Sequence, residues 1–140
     1  MKEILFYQIN DRFRNVFVKD SLKVFLELYK RINESDNVKR QFELFIEEVS
    51  FEGLQTLIER RYSDRDGFIK VDDYTYKIRN IITGDEEIIT INLTYIKLQF
   101  SGKSSLFLDL ISLYFPSMVA INLEANEIIS LENITGLNLI

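Results

Sequence analysis

The side chains best placed to do chemistry in this sequence are carboxylates. They fall in tight groups: Glu47-Glu48, Asp64 with Asp66, Asp72-Asp73, and Asp85-Glu86-Glu87. Two acids facing each other across a cleft can run general acid–base chemistry, glycoside hydrolysis included. Neighbouring acids in a turn or on a helix do not converge on a common substrate; they stand in solvent. The rest of the chain gives them little help, because its 140 residues contain no His, no Cys and no Trp. Without His there is no imidazole base and no pH switch of the usual kind. Without His and Cys there is no ordinary zinc, haem or iron–sulfur ligation, no thiol nucleophile and no Ser-His-Asp relay. No Trp supplies a stacking platform for a sugar. The composition therefore predicts a non-enzymatic protein that needs no metal and no other cofactor.

Three short stretches resemble known motifs. Ser101-Gly102-Lys103-Ser104-Ser105 follows a strand-like segment and precedes a helix-like one, like the tail of a phosphate-binding P-loop. That loop needs a glycine five residues before the Gly-Lys pair, and Lys97 stands there. The expected role is a turn ending in a serine N-cap. Asp64-Arg65-Asp66-Gly67 resembles the middle of an EF-hand loop, with Asp73 at its twelfth position. Tyr62 holds the first ligand position, and strand-like sequence follows where a helix should. A polar helix-to-strand turn is the expectation. Ile121-Asn122-Leu123, with Asn126, Ile128, Leu131, Ile134 and Leu137, resembles one leucine-rich unit. A solenoid needs several stacked units, so a terminal hairpin is expected instead. Asp109 stands alone in the apolar run Leu106–Phe115 and is expected on its solvent edge.

The formal charge is −5 and the sequence pI is about 4.8. Such a chain is repelled by phosphate backbones, so nucleic acid is not the expected partner. A basic protein is, because acidic surface steers and holds basic domains. The acids at turns are the candidate partner-binding residues: Asp64, Asp66, Asp72, Asp73, Asp85, Glu86 and Glu87. No signal-peptide-like start and no uninterrupted apolar run of membrane-spanning length are present, which predicts a cytoplasmic protein without a membrane partner. The expected function is an immunity- or antitoxin-type inhibitor that neutralises a basic toxin domain. The alternative is a phage-type or structural assembly component that self-associates.

The elements that must carry these residues divide the chain in two. Fifty-two residues precede the first glycine, Gly53, which favours long helices. Leu22, Phe25, Leu26, Tyr29 and Ile32 recur at helical spacing, with Asp20 or Ser21 as cap. Val38, Phe42, Phe45, Ile46 and Val49 form a second stripe. Phe51, Leu54, Leu57 and Ile58 form a third, capped by Ser50. Residues 3–18 fit a helix or two strands, and the weak turn signal at Asn10-Asp11 tips the reading to helix. From Phe68 the period changes to two. Strands are expected over Phe68–Val71, Tyr74–Ile82 and 88–100, the last with a bulge near Tyr95-Ile96 where the apolar phase flips. A short buried helix over Leu106–Phe115 and a hairpin of 118–123 with 128–131 complete the chain. The fold class is α+β: a helical N-terminal half, then an antiparallel sheet with one short buried helix, in a single domain over residues 1–140. Phe25, Leu26, Phe42, Phe45, Ile46, Leu57, Ile91, Leu93, Leu110 and Ile121 are the expected core. Thermal melts in calcium and in chelator should coincide, since a ligand that binds only the native state raises its melting temperature. An upward shift on adding calcium would overturn the turn reading of Asp64–Asp73.

Overall fold

The computed structural model describes residues 1–13, 22–48 and 50–133. The fold is α+β, built on one seven-stranded antiparallel sheet. In chain order the elements are β1 (Lys2–Tyr7), α1 (Leu22–Lys30), α2 (Asp36–Phe45), α3 (Glu52–Tyr62), β2 (Phe68–Asp72), β3 (Thr75–Arg79), β4 (Glu86–Ile91), β5 (Tyr95–Phe100), α4 (Leu106–Tyr114), β6 (Val119–Asn122) and β7 (Glu127–Ser130). The strand order is β2-β3-β4-β5-β1-β6-β7. Two runs of neighbouring hairpins are thus joined by the first strand of the chain. Among the described residues no helix is long and apolar enough to cross a membrane.

The N-terminal half is not wholly helical, because the chain opens on β1. Ile4, Leu5, Phe6 and Tyr7 are all buried, alternately on opposite faces of the sheet. A run that is apolar on both sides has no period-two signature, which is why it also fits a helix face. Val16 and Phe17 of that helix reading lie outside the described residues, as do the Asp20 and Ser21 caps.

The two faces are covered differently. On one, α3 and α4 pack over β1 and β3–β6 through Leu54, Ile58, Phe107 and Ile111, against Ile4, Phe6, Ile89 and Leu98. These two helices sit close to each other where the Tyr114 hydroxyl fills the space that a Cβ would take on Gly53. On the other face α1 and α2 cover only the β1, β6 and β7 side, through Phe25, Leu26 and Phe42 on Leu5, Tyr7, Val119 and Ile121. Among the described residues no helix covers the remainder of that face, whose side chains are mostly half-buried. It carries the ion pairs Lys77–Glu86 (3.4 Å) and Lys97–Glu3 (3.9 Å) between the strands.

Several boundaries differ from the sequence reading. Helix α2 starts at its Ser35 cap and stops at Phe45; Ile46 is extended and bridges to Ile9. Val49 lies outside the described residues. Helix α3 is capped at Phe51, without a side-chain cap, rather than at Ser50. Strand β3 ends at Arg79, because the Asn80 side chain accepts the amides of Ile82 and Thr83 and turns the chain. The phase flip before Ile96 is a hairpin turn rather than a bulge: Ile91 pairs with Ile96 across β4 and β5. Leu93 sits in that turn, exposed, and is not core. Phe45, Ile46 and Leu57 pack at the core's margin, and the other six expected core residues are buried. The hairpin β6–β7 is present, with Asn126 in the left-handed region (φ 55°) at its turn. Ile134 and Leu137 lie outside the described residues.

Tyr7 sits at the centre of an aromatic cluster, edge-on to Phe42 with centroids 5.2 Å apart and stacked on Tyr95 at 5.5 Å. Burial raises its phenol pKa above the ordinary value, and Tyr29 and Tyr95 raise it further. Tyr29 is raised too, chiefly by burial. A phenol raised in the folded state favours folding at full strength below the unfolded pKa of about 10, and loses that contribution as pH rises toward the folded value. Melting temperature should hold to about pH 10 and then fall, Tyr7 contributing about 1.4 kcal/mol per pH unit. Tyr7→Phe should flatten the fall; an unchanged alkaline limb in that variant would refute the assignment.

Candidate partner-binding surface

The sheet divides the predicted site acids between its two ends. At one end the α3–β2 turn, the β3–β4 turn and the exit of β5 meet. Gly67, in the left-handed region at φ 86°, accepts from the Arg79 amide at 3.0 Å. A Cβ there would collide with the Arg79 carbonyl, so the turn needs glycine. Asn80 donates to the Asp85 carbonyl, and Ser101 to that of Glu86. These bonds bring Asp64, Asp66, Asp85 and Glu86 to the same end. Strand β2 follows the Asp64–Gly67 turn, where an EF-hand would continue into a helix. Among the described residues no three acids are grouped so as to hold a metal ion.

Glu87 does not belong to that surface. It is only 8% exposed, on the buried face of β4. Its carboxylate accepts from the Ser105 hydroxyl (2.8 Å) and from the amides of Leu106 (3.0 Å) and Phe107 (2.8 Å). Ser105 in turn caps α4 by accepting from Leu108. The amides that would meet a phosphate in a P-loop therefore already hold an internal anion. The signal was in the sequence: Glu87 is in phase with Ile89 and Ile91, the buried set of its strand. Asp109 is exposed on α4, as expected.

At the other end Asp72 and Asp73 form the β2–β3 turn. Asp72 accepts from the Tyr74 amide at 2.9 Å, and Gln55 of α3 donates to the Asp73 carbonyl at 2.7 Å. Beside this turn lies a cleft of about 470 Å³ between the start of α3 and the β4–β5 hairpin, with Phe51, Glu52, Gln55, Tyr74, Ile91 and Leu93 in its walls. Sequence reasoning missed it, since Tyr74 reads as strand and Leu93 as core. A smaller cleft of about 150 Å³ at the first end is polar and of mixed sign, with Arg65 and Lys103 beside Asp85 and Glu86.

No protein-family model and no curated protein matches the chain. The carboxylates sort by what they already hold. Glu87 caps a helix, Glu86 pairs with Lys77, and Asp64, Asp66, Asp72, Asp73 and Asp85 make no ion pair among the described residues. Glu87→Ala takes the acceptor from the buried Phe107 amide and the half-buried Leu106 amide and should cost about 2–4 kcal/mol in chemical denaturation. Asp85→Ser, at an exposed turn, should stay within about 0.5 kcal/mol. Equal effects for the two substitutions would contradict the division.

Proposed function

We propose that this protein is a non-enzymatic binding module of the immunity or antitoxin kind, which neutralises a basic toxin domain in the cytoplasm. The observation that carries the reading is the set of five exposed carboxylates, without an ion pair among the described residues, on turns pinned to one sheet: Asp64, Asp66, Asp72, Asp73 and Asp85. Charges held on a rigid frame need no ordering when a partner arrives, and their summed field speeds its approach. The absence of His and Cys supports binding over catalysis.

The self-assembly reading draws on the sheet's edges. One edge is β2, which carries Lys70 at its centre and a register irregularity between Lys70 and Asp72. A central lysine and a bulge are the features that keep an edge from pairing with another edge. They weigh against assembly through β2 and favour the inhibitor reading.

The test is affinity capture from cells that carry the gene, followed by co-expression of the captured protein. Wild type should retain a basic protein at low salt and release it near 1 M salt, where the Debye length falls to about 3 Å. It should also relieve that protein's toxicity. Replacing the five aspartates by Ser should abolish both effects. Retention of the same proteins by wild type and variant, with the same salt dependence, would reject the reading.

A further inference from the structure

Building on that reading, we infer that the partner is gripped at the cleft beside the Asp72–Asp73 turn, which takes an apolar side chain from an extended segment bearing Lys or Arg. The cleft has a buried floor, Phe51 and Ile91, and exposed walls, with Tyr74 60% and Leu93 67% exposed. An aromatic and an aliphatic side chain left in water around a pocket of this size are the material of a binding hot spot.

The charge around it is of one sign. Glu52 is the only ionisable group among the lining residues apart from the Tyr74 phenol, and Asp72 and Asp73 stand on the adjoining turn. Lys70 on the neighbouring strand is already held by Glu59 at 2.7 Å. Among the described residues that line the cleft, a cationic segment therefore meets a carboxylate and no cation. The polar cleft at the opposite end lacks this complementarity, because Arg65 and Lys103 lie among its acids.

The start of α3 fixes which part of the segment goes where. Phe51 caps that helix with no side-chain hydrogen bond, and Phe51 and Glu52 at its start both line the cleft. The positive end of a helix disfavours an ammonium group in contact with it. It suits a peptide carbonyl. The apolar side chain thus enters over Phe51 and Ile91, a backbone carbonyl faces the α3 amides, and Lys or Arg reaches Asp72 and Asp73 at the rim.

The probe is a capped Lys-Leu-Lys peptide titrated into the isotope-labelled full chain, followed by backbone amide shifts. Capped Lys-Ser-Lys and Glu-Leu-Glu peptides are the comparators. Lys-Leu-Lys should shift the amides of Phe51–Gln55, Tyr74 and Asn92–Thr94 and saturate; Lys-Ser-Lys should bind more weakly and Glu-Leu-Glu not at all. Tyr74→Ser with Leu93→Ser, both at exposed positions, should keep the wild-type melting temperature and weaken Lys-Leu-Lys about tenfold, or 1.4 kcal/mol. Equal shifts from both Lys peptides, spread over Asp64, Asp66 and Asp85 as well, would overturn the cleft. So would concentration-dependent shifts at the cleft without peptide, which would mean a second copy fills it. In the capture experiment, full retention of the basic partner by this double variant would reject the cleft while leaving the inhibitor reading in place. Capture of no basic protein by wild type would reject the inhibitor reading, and the titration decides the cleft independently.

Discussion

Both hydrophobic cores hang on one six-residue strand. Ile4 and Phe6 of β1 enter the core under α3 and α4, while Leu5 and Tyr7 enter the one under α1 and α2. The same strand closes the sheet, pairing with β5 on one side and β6 on the other. Lys2 lies opposite Phe100, so this closure joins residues almost a hundred positions apart and carries a large loop entropy. The hairpins β2–β3, β3–β4 and β4–β5 need only local contacts. Removing β1 would split the sheet into β2–β5 and β6–β7 and open the inner side of both cores.

That same double burial limits how far the sequence can be read. Alternation exposes a strand when one face is wet, and Tyr76 and Ile78 of β3 between Thr75, Lys77 and Arg79 are legible for that reason. A strand with two dry faces shows only a short apolar run, which a helix can also produce. The β4–β5 turn was hidden by a different cause. Leu93 and Thr94 give no glycine or proline signal, so in the sequence Leu93 continues the alternation of Ile89 and Ile91. The cleft depends on that turn and was invisible with it.

The acids show a related limit. Composition places Asp85, Glu86 and Glu87 together, but a strand turns neighbours to opposite faces. Glu86 goes outward to Lys77, and Glu87 goes inward to the start of α4. The inward carboxylate sits among apolar residues only because three donors meet it, which replaces the hydrogen bonds it gave up to water. It ties α4 to the sheet, and through α4 the buried Phe107, Leu108, Leu110 and Ile111. One acid of the triplet is thus structural, one is paired, and one, Asp85, makes no ion pair among the described residues.

The two ends of the sheet follow from this division. At the β3–β4 end the chain brings cations as well as acids, and the helix that starts there, α4, has its amides filled from within. At the β2–β3 end the helix that starts there, α3, has no side-chain cap, and Lys70 on β2 is held by Glu59. Acids beside the positive end of a helix that has no side-chain cap are an electrostatic contradiction for a single ion. A chain that carries both a cation and a carbonyl a few ångströms apart resolves it, and an extended peptide is such a chain. The proposed binding of an extended peptide at that end rests on this juxtaposition of acids and helix start.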